Sequence, residues 1–326
     1  MAVDYAGAVR AGTMAAARLH QQLGIRGLVE NQNGSIDVFG AIHTLNLPLL
    51  LRPLKGLLGA YLNLPVPGLL VTTERQMSIQ RFTAAHELGH FFMKHEPSLD
   101  DESILRRMPA SPEPGDQFQE TEADAFAVAF MLPKWLILLH AANQHWTTDD
   151  FRRSNVVYQL SLRLGASYEA TCRTLVRYNL ISIATMNEVL DTKPRAIKVD
   201  LLRDFKPADY KGDVWLLTAR DAGSSISGSR NDMFVLRLTE HSGGGYLWNF
   251  EQLVESGFAI VRDLREATDH EGVGGPVVRR VTAAVENALR GQMSIDERRP
   301  WQPVCQRRSD SRPPGRSKSR PLLMRA

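Results

Sequence analysis

Cysteine is nearly absent, with Cys172 and Cys305 the only two among 326 residues. Two distant thiols cannot build a disulfide framework, and no paired cysteines suggest a zinc ribbon, so a reducing interior is expected. Internal repeats and a phosphate-cradling glycine loop are also missing, which sets aside solenoid architecture and P-loop nucleotide chemistry. The first twenty residues carry Asp4 and Arg10 and no continuous apolar core, so no signal peptide is expected and a cytoplasmic location follows. The apolar stretch from Leu49 to Val71 is broken by Arg52, Lys55 and three prolines, which argues against a membrane span.

Charge of one sign is scarce except at the C-terminus. The net charge is +3, but residues 306–326 hold seven Arg or Lys against one Asp, leaving the other 305 residues at −3. Ser, Pro, Gly and Arg dominate that segment, so 305–326 is expected as a basic disordered tail. Weak contact through this tail is the one nucleic-acid interaction expected. Arg163, Arg173 and Arg177 are too few and too dispersed for a phosphate-binding face, so the helix-turn-helix character around Gly165-Ala166-Ser167 reads as two packed helices.

What is present is 43% hydrophobic content, enough to bury two cores, and one dense run of chemistry at Thr83-Ala84-Ala85-His86-Glu87-Leu88-Gly89-His90. Histidines four apart on a helix share a face and can grip one metal ion, while Glu87 sits where a metal-bound water would lose its proton. Phe82, Ala85, Leu88, Phe91 and Phe92 supply an apolar face, with the histidines at its border. Gly89 weakens a helix, so a close neighbour is expected there. The alternative is an ordinary amphipathic helix with two semi-exposed histidines.

A catalytic zinc needs a third protein ligand. Residues 120–133 read as a second helix with an acidic first turn, an apolar body and Pro133 as its stop. Glu120 and Asp124 share a face, so one carboxylate could ligate while the other accepts a hydrogen bond from a ligating histidine. Glu122 points about 200° away and reads as a solvated helix-start carboxylate. His140 and His145, five apart, have the wrong helical spacing for a shared metal and read as surface or packing histidines.

These two motifs, Arg81-Phe-Thr-Ala-Ala-His-Glu-Leu-Gly-His and Glu-x-x-Ala-Asp-x-Phe-Ala, together resemble the ImmA/IrrE family of metallo-endopeptidases. The resemblance implies a zincin-like fold, Zn²⁺ on His86, His90 and Glu120, Glu87 as catalytic base and Asp124 orienting His86. It also implies a protein substrate, such as a repressor or other transcriptional regulator. Phe130-Met131-Leu132-Pro133 departs from the family's more usual Leu-Leu-Met-Pro. Upstream, Ser35 to Phe39 reads as a capped helix start, and Leu47–Leu51 and Leu69–Thr73 read as short strands. Related zincins align substrate on an edge strand, for which Gly59-Ala60-Tyr61-Leu62 is the candidate. After Pro133 helical periodicity runs to about residue 190.

Glycine, serine and alternating apolar residues take over near Lys193-Pro194. The organisation read from the sequence is a peptidase domain over 1–192, a linker over 193–209, a β-sandwich over 210–304 and the tail over 305–326, an α+β chain overall. Val214–Leu217, Met233–Leu238 and Tyr246–Trp248 read as strands. Gly245-Tyr-Leu-Trp248, Gly272-Val-Gly-Gly275 and Arg299-Pro-Trp301 are similar in order and spacing to the three loops of chagasin-type cysteine-peptidase inhibitors. That resemblance implies an immunoglobulin-like sandwich with Gly245, Gly274 and Trp301 as partner contacts. Trp248 reads as core. His241-Ser-Gly-Gly-Gly245 replaces the family's Asn-Pro-Thr-Thr-Gly, which puts cysteine-peptidase inhibition in doubt. Two functions are therefore carried forward. The first is a zinc endopeptidase whose sandwich binds substrate or regulates the cleft; the second is a non-catalytic, zinc-stabilised binding protein or an antitoxin-like or inhibitor module.

Overall fold

The computed structural model describes residues 4–63, 65–100, 118–266, 275–287, 290–301 and 322–325. The chain separates into two compact units, Met1–Asp191 and Thr192–Ala326. Helices and sheets segregate within each, as an α+β class requires.

In the first unit, α1 (Tyr5–Leu23) is capped by Asp4 and stops at Gly24, whose φ of 60° ends the helix in the left-handed region. Then come α2 (Ile25–Gln32) and α3 (Val38–Thr44), the latter capped by Asp37, which accepts from the Gly40 N–H at 2.9 Å. β1 (Leu49–Arg52), β2 (Gly59–Leu62) and β3 (Gly68–Thr72) precede α4 (Met77–Met93), and β4 (Ser98–Asp100) follows it. The strands form one sheet in the order β1-β3-β2-β4, with β1 parallel to β3 and the other pairings antiparallel. β2 is therefore interior and not the expected edge. The chain leaving α4 turns back so that Ser98, Leu99 and Asp100 pair with Tyr61, Ala60 and Gly59.

The acidic helix α5 (Gln119–Met131) follows. By length and composition Gln119–Gln144 would suffice to cross a bilayer, yet 67% of its most apolar window is buried inside the fold. Pro133 breaks that stretch, and α6 (Lys134–Gln144) starts behind it. α7 (Ser154–Leu164), α8 (Tyr168–Arg177) and α9 (Ile183–Asp191) complete the unit. Gly165, at φ 68°, separates α7 from α8. Val157, Leu160, Cys172 and Leu175 are fully buried, so these helices serve the core. Burial also pushes the Cys172 thiol up to about 12, which keeps it protonated.

α4 is the centre of this unit. The sequence places its histidines at the border of an apolar face, but every residue from Thr83 to His90 is buried. β2 and β3 cover one side of α4 and α5 covers another, so no solvated face remains over that stretch. Small residues make the crossings possible. A Cβ on Gly89 would lie 3.0 Å from Phe126 Cδ1, so the close neighbour expected at Gly89 is α5. α1 approaches α5 more closely still: a Cβ on Gly12 would meet the Glu122 carbonyl oxygen at 2.1 Å.

The second unit opens with α10 (Pro194–Leu202), so the expected linker over 193–209 is partly helical. Pro194 at the first helical position is preorganised for that role, and Ile197, Leu201 and Leu202 are buried. The strands are β5 (Val214–Leu217), β6 (Ser225–Ser227), β7 (Met233–Glu240) and β8 (Leu247–Asn249). After the short α11 (Glu251–Glu255) come β9 (Phe258–Glu266), β10 (Val277–Val285), β11 (Arg290–Met293), β12 (Asp296–Arg298) and β13 (Leu322–Arg325). They form sheets ordered β5-β7-β10-β9, β11-β13-β6 and β12-β8. β13 thus lies within the segment expected to be disordered, where backbone pairing with β11 and β6 gives it a place.

Trp215, Phe234 and Phe258 fill the core of this unit. Trp248, expected there, is only half-buried, with its indole N–H donating to the Thr239 carbonyl at 2.8 Å. The buried Glu240 carboxylate accepts from Arg265 at 2.8 Å, Arg279 at 2.7 Å and the Trp248 backbone at 3.1 Å. Burial opposes ionisation of Glu240, but these donors outweigh it and hold the carboxyl below its usual range.

Candidate metal centre

α4 contributes His86, Glu87 and His90, and α5 contributes Glu120, Glu122 and Asp124. His86 Nε2 lies 2.9 Å from His90 Nε2 and 3.3 Å from Glu120 Oε2, and His90 Nε2 lies 3.6 Å from Glu120 Oε1. In a tetrahedral zinc site with bonds of about 2.0–2.1 Å, neighbouring ligand atoms stand roughly 3.3 Å apart. The three separations bracket that value. The donors also suit the ion, because borderline zinc takes imidazole nitrogens together with a carboxylate oxygen, and two histidines plus one glutamate leave a fourth position open. His86, His90 and Glu120 could hold a metal ion, and they fit zinc.

The other nitrogen of each histidine also has a polar neighbour. Asp124 Oδ1 lies 2.9 Å from His86 Nδ1, at ion-pair distance but outside hydrogen-bond geometry. His90 Nδ1 lies 3.1 Å from His95 Nδ1, and His95 Nε2 lies 2.9 Å from Glu122 Oε2. Glu122, expected in solvent, thus engages a histidine beside the site. Burial lowers the His95 imidazole below its usual range, against the opposing pull of its Glu122 hydrogen bond. Burial also works against the Glu120 carboxylate, yet hydrogen bonds and attraction from His86 and His90 hold it well below the usual range.

Glu87 is fully buried against β2. A Cβ on Gly59 would stand 2.6 Å from Glu87 Oε1 and 2.4 Å from Thr83 Cγ2, so the bare backbone of β2 sets the space for this carboxylate.

The constellation read from the sequence is brought together: His86, Glu87, His90, Glu120 and Asp124 occupy one site. Sequence reasoning missed His95 and the contact made by Glu122. Of the other residues singled out, His140 is buried and His145 is an exposed helix cap at φ 56°. In the second unit Gly245 and Trp301 meet, because a Cβ on Gly245 would lie 2.5 Å from Trp301 Cη2 while Trp301 stays 69% exposed. Arg299 joins them, donating to the Gly244 carbonyl at 3.1 Å and lying 4.7 Å from the Tyr246 ring centroid. Gly274 lies outside the described residues.

Among solved structures, the chain is similar to the cysteine protease inhibitor EhICP2 from Entamoeba histolytica. Identity is 22%, over 34% of this chain and 91% of that one, at a TM-score of 0.27. It is also similar to the solution structure of Amebosin, with 18% identity over 34% of this chain and 94% of that one, at a TM-score of 0.26. Likenesses at this level carry no structural argument. No curated protein matches the chain. Residues 52–176 match the IrrE N-terminal-like domain of peptidase M78, and that segment spans α4, α5 and all three converging donors. The matched segment thus lies wholly within the first unit.

Proposed function

We propose that the first unit is a zinc-dependent endopeptidase of zincin type, with His86, His90 and Glu120 holding the ion and Glu87 as general base. The convergence of two Nε2 atoms and one carboxylate at ligand-edge separations, next to a buried Glu87, carries this reading. When bound, zinc supplies Lewis acidity toward a peptide carbonyl and toward water. Glu87 takes the proton released from the attacking water and hands it to the departing amine, so one side chain serves both halves of the hydrolysis. Its burial within the fold excludes bulk water from that exchange. Asp124, 2.9 Å from His86 Nδ1, is the carboxylate that would orient the His86 ring with the ion bound.

A binding scaffold needs ligands but no base, so an intact Glu87 beside the ligands favours catalysis. The substrate proposed is a regulatory protein such as a transcriptional repressor, in the cytoplasm. The second unit, read as an immunoglobulin-like sandwich, is proposed to bind that substrate or regulate cleavage. Full-length Glu87→Gln tests the central reading: it should keep one zinc per chain and lose cleavage while retaining bound substrate on purification. Cleavage surviving this change would assign the chemistry to another residue.

A further inference from the structure

α4 ends in a turn that serves the metal centre. Lys94 adopts φ 60°, its N–H reaches the Phe91 carbonyl at 3.2 Å, and the His95 N–H reaches the His90 carbonyl at 2.9 Å. Those two bonds define a Schellman motif, in which the residue after the left-handed position folds back onto the side chain five before it. An apolar pair usually fills that contact. Here the pair is His95 on His90, with ring centroids 5.0 Å apart at 75°.

The polar atoms in this contact form a directed chain. A carboxylate can only accept, so the 2.9 Å contact to Glu122 Oε2 takes the proton of His95 Nε2. His95 Nδ1 is then an acceptor, and the 3.1 Å contact makes His90 Nδ1 the donor. The His90 lone pair is left on Nε2, the atom that faces His86 and Glu120. The chain also ties two helices together, because Glu122 and Glu120 share the first turn of α5 while His95 closes α4. A contact that only filled space would need neither nitrogen satisfied. Yet both nitrogens of His95 are engaged, and its side chain is only 8% exposed.

We propose that His95 and Glu122 are positioning residues for the metal centre, a carboxylate–imidazole relay that fixes the ligating tautomer of His90 and holds α5 in register with the end of α4. This rests on the metal reading above. His86 Nδ1 faces a carboxylate directly, Asp124 at 2.9 Å, whereas His90 Nδ1 reaches one through an interposed ring.

The test is zinc affinity of the full chain, measured by competition with a chromophoric chelator at fixed pH, beside unfolding of the metal-free protein. His95→Phe keeps a ring in the turn and deletes both polar contacts; it should weaken zinc binding roughly 10- to 100-fold. Glu122→Ala should weaken it in the same direction. Adding Glu122→Ala to His95→Phe should cost little more, since the two act in series. His95→Gln can still accept from His90 and donate to Glu122, and should restore most of the affinity. If His95→Phe does not fold, the comparison of Glu122→Ala with His95→Gln carries the same contrast. Wild-type zinc affinity in His95→Phe or Glu122→Ala, with metal-free stability alone reduced, would overturn the relay and leave the metal reading standing. A wild-type chain that binds no zinc would overturn both.

Discussion

Gly59 and Glu87 are held so close that a methyl group on Gly59 would stand 2.6 Å from Glu87 Oε1. The glycine belongs to β2 and the glutamate to α4, so a substitution in the sheet acts on the proposed base without touching a ligand. Gly59→Ala should displace the Glu87 carboxylate. Displacements of about 1 Å in a catalytic group cost on the order of 100-fold in rate. The expected result is a loss of that size in kcat with zinc stoichiometry retained, measured by steady-state cleavage and metal analysis. Loss of metal with activity would place the damage in the ligands instead.

Asp124 Oδ1, the proposed acceptor for His86, stands 2.9 Å from its Nδ1. Asp124→Ala removes that acceptor and should weaken zinc binding by roughly 10- to 100-fold, while Asp124→Asn, which still offers a carbonyl, should lose less. Chelator competition orders the three proteins. Equal affinities across the series would exclude Asp124 from holding the ligand.

Gly12 faces α5 backbone, 2.1 Å from the Glu122 carbonyl to a notional Cβ. Backbone cannot rotate away as a side chain can, so Gly12→Ala should destabilise the fold by about 1–3 kcal/mol. Because α5 carries Glu120, zinc affinity should fall as well. Chemical denaturation of the metal-free protein separates the two effects.

His140 gives a pH prediction with a definite sign. Burial and the nearby Arg163 charge lower its pKa to about 3, while a bond to the Gly34 backbone opposes them. The unfolded chain, with a histidine near 6.5, binds this proton first as pH falls. Stability is therefore unaffected by His140 above about pH 6.5 and declines as pH drops from there toward 3. Between pH 7 and 5 the loss from this residue is about 2 kcal/mol. His140→Gln should flatten the metal-free stability profile by that amount, whatever it does to stability at pH 7. Parallel profiles for the two proteins would contradict it.

The legible part of the site is the part governed by helical arithmetic. Spacings of four bring His86 beside His90 and Glu120 beside Asp124, and those pairs meet because α4 and α5 cross at Gly89. His95 escapes that arithmetic. Five residues is a poor spacing inside a helix, as argued for His140 and His145, but His90 and His95 straddle a turn in which Lys94 goes left-handed without a glycine to announce it. Glu122 was obscured for the same reason, since its partner lies across that turn. β2 reads as an edge in the sequence because β4 is only three residues long and leaves no periodic pattern. In the second unit the change of composition at Lys193-Pro194 is visible, but Pro194 opens a helix there where a linker was expected. α1 gave no signal because Ala8, Gly12, Ala15 and Ala16 bury little apolar area each, and their value lies in close approach.

That first helix has a consequence for how the chain can be divided. The segment matched to the IrrE N-terminal-like domain starts at residue 52, whereas α1 lies at Tyr5–Leu23. It seats Gly12 on the backbone of α5, and His20 Nε2 lies 2.9 Å from the Phe130 carbonyl. A fragment trimmed to the matched stretch would keep every ligand and strip the buttress from the helix that delivers Glu120. Evolutionary recognisability and mechanical completeness end at different residues in this protein.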